Sequence, residues 1–167
     1  MNQETNRTKF SKILIAVDGS ETSMRAAEYA INLSKIQNLQ LGQEELEPEL
    51  VGLAVIDLTK LPNSFLATTS GYYGVRELEE KRKEAQQSLD KVKISAEKQN
   101  VRKFESVIIE DISSKVGYAI VNYAESKNID LIVIGTRGKS GLKKLLVGSV
   151  ASDVISYAHC PVMVIRG

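Results

Sequence analysis

The sequence predicts an α/β fold, a single open, doubly wound parallel sheet of five strands with helices on both faces. Two observations carry this. Five short runs are apolar and mostly lack polar alternation, the pattern of strands covered on both faces: Ile13 to Val17, Leu50 to Ile56, Ser106 to Ile109, Leu131 to Ile134 and Val162 to Ile165. Segments of helical period separate them, and right-handed crossovers then distribute the helices over both faces.

Taken in order, the first run ends at Asp18-Gly19-Ser20 and leads into a helical face marked by Met24, Ala27 and Ile31. Asn38 to Glu49, with Glu44, Glu45 and Glu47, reads as a loop before the second strand. Asp57 to Gly74, containing Pro62, Ser70, Gly71 and Gly74, reads as a second loop. It leaves the carboxyl edge of the sheet, where ligands of open α/β folds bind, and is either a mobile lid or a solvated connector. Leu78, Ala85, Leu89, Val92 and Ala96 mark the second helix, whose charge run Glu77 to Glu84 is a solvated face supported by neighbouring opposite charges. Val116, Ala119, Ile120, Tyr123 and Ala124 mark the third, and Val150, Val154 and Ile155 a short fourth.

Size and composition bound the function. The 167 residues suit one domain, expected over 12–167 behind a flexible N-terminal segment, 1–11. With 22 basic and 21 acidic residues the formal charge is +1, so no excess drives binding to nucleic acid or anionic lipid. No run approaches membrane-spanning length. The single cysteine, Cys160, and a polar amino terminus without an apolar signal core predict a cytoplasmic location. His159 and Cys160 alone cannot close a metal site, and no nucleophile, base and carboxylate set forms around the single histidine.

Glycines cluster after the fourth strand, in Gly135-Thr136-Arg137-Gly138-Lys139-Ser140-Gly141 and again at Gly148-Ser149. A glycine at a strand end admits an anion to backbone N–H groups, and Gly148-Ser149 stands where the fourth helix begins. Arg137, Lys139, Lys143 and Lys144 add positive charge. Each position has a plainer reading: Gly135 and Gly138 as turn glycines, Ser149 as a helix cap, Asp18 as an acidic residue at a helix start. Gly138-Lys139-Ser140 imitates a P-loop, but the glycine that motif requires five positions earlier is Val133. The six-residue dinucleotide fingerprint fails at the first turn, Asp18 to Ser23.

The spacing Gly-x2-Gly-x9-Gly-Ser, filled by Gly135, Gly138, Gly148 and Ser149, resembles the nucleotide motif of ATP-binding universal stress proteins. Lys12 to Ser20 is similar to that family's opening strand and turn, and Pro161 to Ile165 to its closing strand, so the resemblance spans about Lys12 to Arg166. It implies a flavodoxin-like sheet of order 3-2-1-4-5, with Asp18 and Gly135 flanking the switch point. It further implies that Asp18 and Ala16 lie at the adenosine end, that the backbone of Val55 recognises adenine, and that Gly135, Gly138, Gly148 and Ser149 meet ribose and phosphate. Arg137, Lys139 and Val150 belong to the same loop and helix start. Tyr72 and Tyr73 either stack on the base or are ordinary surface tyrosines. The chain departs from the family pattern at Asp111-Ile112-Ser113, where a Gly-x-Pro turn is common, and in the Asn38 to Glu49 insertion.

The function so implied is an ATP-dependent switch acting on an unknown protein partner in a stress response. The alternatives are a slow ATPase with Mg2+ held through the phosphates, or a binder of AMP or cyclic AMP. No Asp, Glu or His lies between Gly135 and Ser152, so no catalytic base is assigned. The apolar last strand, Val162 to Ile165, is the expected seam of a homodimer.

Overall fold

The computed structural model describes residues 10–41, 48–61, 72–113, 115–136 and 147–166. Along the chain run β1 (Lys12–Ala16), α1 (Glu21–Leu41), β2 (Glu49–Asp57), a 3-10 turn (Leu58–Lys60), α2 (Tyr72–Lys98), β3 (Phe104–Asp111), α3 (Val116–Ser126), β4 (Leu131–Gly135), α4 (Ser149–Tyr157) and β5 (Val162–Ile165). The five strands are parallel, as the sequence pattern predicts, and stand in the order β3-β2-β1-β4-β5 that the resemblance implies.

The unbroken apolar runs have a simple cause, since successive side chains of a strand point to opposite faces and here each face is roofed by helices. Ile13 and Ile15 of β1, Ala54 of β2 and Val133 of β4 pack with Ala26, Ala30 and Ile31 of α1 and Leu89 and Val92 of α2. Their neighbours Leu14, Val51, Leu53, Ile132 and Ile134 pack on the other side with Ile120 and Ala124 of α3 and Ala151 and Val154 of α4. Each large side chain so buried contributes about 1.5–3 kcal/mol, which makes two-sided cover the main source of stability.

Helix ends set the strand starts. Asn100 (φ 62°) and Asn128 (φ 53°) take the left-handed conformation just beyond α2 and α3. The next residues, Val101 and Ile129, return their N–H groups to Ala96 and Ala124 and are themselves buried. Asparagine tolerates this conformation, so each helix stops on a Schellman-type turn that aims the chain back under the sheet.

Several boundaries differ from the sequence reading. α1 runs through Leu41, inside the segment expected to be loop from Asn38. α2 begins at Tyr72 and takes in Gly74, and β3 extends from Phe104 to Asp111. The exposed Glu105 and Glu110 of this edge strand hid its true length, because an edge strand need not be apolar throughout. Of the expected flexible segment, Phe10 and Ser11 are described: the Phe10 amide donates to Gln37 Oε1 (3.0 Å) and the Ser11 amide to Asp130 Oδ2 (2.7 Å).

α3 and α4 cross so closely that a Cβ on Gly117 would lie 2.4 Å from the Asp153 Cβ. Alanine is intrinsically better than glycine inside a helix by about 1 kcal/mol. Even so, Gly117→Ala is expected to lower stability by about 1–3 kcal/mol in urea denaturation, because a Cβ beside the backbone cannot swing aside. An unchanged or raised midpoint would show that the two helices part freely.

Candidate functional site

Three strand ends converge at the carboxyl edge of the sheet, each shaped by its own turn. After β1, Gly19 adopts φ 78°, a conformation that suits glycine, and lets the chain double back into α1. Asp18 organises this turn: its Oδ1 accepts from the Ser20 amide (2.9 Å) and hydroxyl (2.6 Å). Ser20 Oγ in turn accepts from the Ser23 amide at 3.2 Å, which closes the α1 N-terminus with a side chain. Asp18 therefore precedes the helix rather than belonging to its first turn.

After β4, the buried Thr136 donates its amide to the Ile165 carbonyl (2.8 Å), and its carbonyl accepts from the Gly148 amide (2.7 Å). This second bond holds Gly148 at the sheet edge and sets the start of α4. Gly148, not Ser149, is the N-cap, with extended φ −70° and ψ 160° and no side-chain cap. The first intrahelical bond runs from the Ser152 amide to the Gly148 carbonyl (2.9 Å), so the amides of Ser149, Val150 and Ala151 lack intrahelical acceptors. Unlike α1, this helix presents its positive end without a covering hydroxyl from its cap residue.

Gly135 has a structural reason of its own. A Cβ there would stand 2.9 Å from the Thr22 carbonyl carbon and 3.0 Å from the Ser23 amide nitrogen. The glycine admits the first turn of α1 against β4, a requirement that exists whether or not an anion is bound.

After β2, Asp57 caps the 3-10 turn, its Oδ1 accepting from the Thr59 amide (3.1 Å) and hydroxyl (2.6 Å). Lys60 Nζ stands 3.1 Å from Oδ2 as an ion pair, yet Oδ2 is buried without an aligned hydrogen bond. Burial pushes this carboxyl up, but the Thr59 bonds and the Lys60 ammonium outweigh it and hold the group below its ordinary value.

Between these ends lies a cavity of about 620 Å³, within the usual range for small-molecule sites. Of the residues singled out from sequence, it brings together Ala16, Asp18, Val55, Gly135, Gly148, Ser149 and Val150. Arg137, Gly138 and Lys139 lie outside the described residues, as do 62–71 of the expected lid and the side chains of Tyr72 and Tyr73. Sequence reasoning passed over Thr136, the paired Asp57 and Lys60, and the paired Lys81 and Glu84 of α2 (3.3 Å), all of which line the same cavity. Asp57 had a usable signal, standing two residues after Val55 at the end of a strand; the α2 pair had none.

Elsewhere, an exposed groove of about 460 Å³ between α2 and β3 is lined by Arg82 and Glu110, which already pair with each other. Burial raises the Cys160 thiol above its ordinary value, which works against thiolate chemistry. Among the described residues no helix is long and apolar enough to cross a membrane. Nor, among them, does any group of three or more His, Cys, Asp or Glu side chains stand ready to hold a metal.

A model of the universal stress protein family matches residues 9–166. The universal stress protein MJ0531 of Methanocaldococcus jannaschii is 38% identical over 157 residues, covering 94% of this chain and 82% of that protein. Among solved structures, the universal stress protein UspA from Lactobacillus plantarum has a TM-score of 0.78 at 23% identity, covering 95% of this chain and 99% of its own. An Arabidopsis thaliana family protein with AMP bound has a TM-score of 0.61 at 17% identity, covering 93% of this chain and 91% of its own. A universal stress protein in complex with cAMP reaches 0.56 at 18%, covering 95% and 98%. At these identities the three structures show a shared fold.

Two outcomes follow from the strand ends. Gly135→Ala is expected to cost about 1–3 kcal/mol in urea denaturation, with the loss present in nucleotide-free protein, because the new Cβ meets backbone of α1. Full stability of that variant would mean α1 shifts without cost. Asp57→Asn keeps the shape and removes the charge. Since the folded pKa is depressed, the ionic contribution exists above about pH 4 and is lost as pH falls through the folded value. The deficit of the variant should therefore be full at pH 7 and shrink below about pH 4; a pH-independent deficit would rule the ionic contribution out.

Proposed function

The chain belongs to the universal stress protein family, and from that premise we propose that its 12–167 domain binds ATP and acts as a nucleotide-dependent switch. The observation that carries this reading is the α4 N-terminus, which opens without a side-chain cap at Gly148 onto the same cavity as Asp18 and Val55. Backbone amides at a positive helix end favour a phosphate, and the glycine leaves them accessible. Under this reading Gly135, Gly138, Gly148, Ser149 and Val150 meet ribose and phosphates, and Arg137 and Lys139 supply counter-charge. Asp18 and Ala16 border the adenosine, and the Val55 backbone reads the base. Mg2+ is held through the phosphates. The AMP and cAMP found in the distant relatives support an adenine ligand as a class.

Switching requires that the two states of the protein differ in nucleotide affinity, because a ligand that binds both equally shifts nothing. Each tenfold preference moves the equilibrium by about 1.4 kcal/mol. The β5 edge, which among the described residues pairs within the sheet only with β4, suits a homodimer seam through which such a shift reaches a protein partner in the cytoplasm.

The test begins with the nucleotide content of purified protein, released by heat and separated by chromatography, followed by ATP titration. Wild type is expected to carry or bind ATP, and folded Gly138→Val with Gly148→Val to lose at least about tenfold in affinity. Binding of AMP or cyclic AMP in preference to ATP would reassign the ligand. Failure of wild type to bind any adenine nucleotide would remove the reading.

A further inference from the structure

The cavity has a second end that the phosphate cradle does not explain. Neighbouring strands lie about 4.8 Å apart, so the step from β4 across β1 to β2 covers about 10 Å. A nucleotide whose phosphates meet the α4 N-terminus beside β4 therefore carries its base toward the end of β2. There the cavity is bounded by Val55, Val116 and Ile120 on one side of the sheet and by Leu61 and Ala85 on the other. Such apolar walls suit the faces of a flat heterocycle. The carboxylate of Asp57 stands in this slot with its side chain only 7% exposed.

We propose that Asp57 selects the base, its Oδ2 accepting the 6-amino group of adenine and repelling the 6-oxo group of hypoxanthine or guanine. The inference rests on the adenine-nucleotide reading above and assigns a base-discriminating side chain within it. Oδ1 is committed to Thr59, whereas Oδ2 is the buried oxygen without an aligned donor. The ammonium of Lys60 stands 3.1 Å from it, on a side chain 78% exposed that can withdraw into solvent. Only the Lys60 end of the pair lies in solvent, so it is the lysine that can move aside when another donor reaches Oδ2. An amino group presented along the missing direction satisfies Oδ2, while a carbonyl there faces a negative oxygen with no proton between them. Lys60, conversely, is a donor that a 6-oxo base can use, so the pair tilts the slot in opposite senses.

The test compares ATP with inosine triphosphate, which differ at position 6 of the base and, with it, at N1, an acceptor in adenine and an N–H donor in hypoxanthine, by titration calorimetry at fixed Mg2+. Wild type is expected to prefer ATP by about tenfold or more, the range of one charge-assisted hydrogen bond. Asp57→Asn keeps an acceptor for Thr59 and turns an amide donor toward the base, so the ratio should collapse or invert. Lys60→Ala removes the competing ammonium and should raise the ratio, a readout that survives if the Asp57 variant fails to fold. An unchanged ratio in Asp57→Asn, or a ratio that falls in Lys60→Ala, overturns the assignment while ATP binding itself stands. If wild type binds neither nucleotide, the adenine reading fails and takes this inference with it.

Discussion

The architecture turns on the end of β4. Gly135 lacks a side chain because the first turn of α1 occupies that space. Thr136, one residue on, uses both its backbone groups to hold β5 through Ile165 and α4 through Gly148. Two helix N-termini and an edge strand are thus referenced to two adjacent residues, and the distance between the α1 turn and the α4 turn is fixed by backbone rather than by long side chains. Interiors of this density transmit small displacements instead of absorbing them. A site assembled from β1, β2, β4 and α4 therefore inherits its geometry from contacts beneath it.

The two helix ends that meet there are finished differently, and the difference separates stability from function. α1 is closed internally by Ser20, itself fixed by Asp18. α4 begins at a glycine and leaves its first amides without intrahelical acceptors. A side-chain cap is worth about 1 kcal/mol, and its absence at one helix start beside a cavity is a cost that an incoming anion can offset. At the opposite end of the cavity the charges are paired instead, Asp57 with Lys60 and Lys81 with Glu84.

Most of the fold was legible because each central run is apolar at every position, which only cover on both faces explains, and the two core clusters divide those runs by alternate residues. β3 is longer than its apolar run because Glu105 and Glu110, on opposite faces of this edge strand, are both exposed and break the apolar pattern. α2 begins at Tyr72, inside the segment that reads locally as loop, because one glycine costs a helix only about 1 kcal/mol. At the site, Gly135, Gly148 and Ser149 of the glycine spacing line one cavity, but the spacing does not say why a position is a glycine. Gly135 answers to α1, a contact between elements more than a hundred residues apart in sequence, and no local pattern encodes that. Asp57 reads locally as the start of a loop, because burial of a carboxylate depends on the turn that follows it. Of the two readings open for Ser149, cap or phosphate contact, the cap falls instead to Gly148, because the hold of Thr136 on Gly148 is tertiary.

The strand order also bears on how the chain is made. β1 lies at the centre of the sheet, and the Lys12 amide finds its partner in Asp130, 118 residues later. At about 5–20 residues per second of synthesis, that partner leaves the ribosome roughly 6–24 s after the strand it completes. During this interval β1 and β2 can pair, while the flank of β1 that β4 will cover remains an open, apolar strand edge. The nascent protein therefore carries an open, apolar β1 edge until Leu131–Gly135 has emerged to cover it.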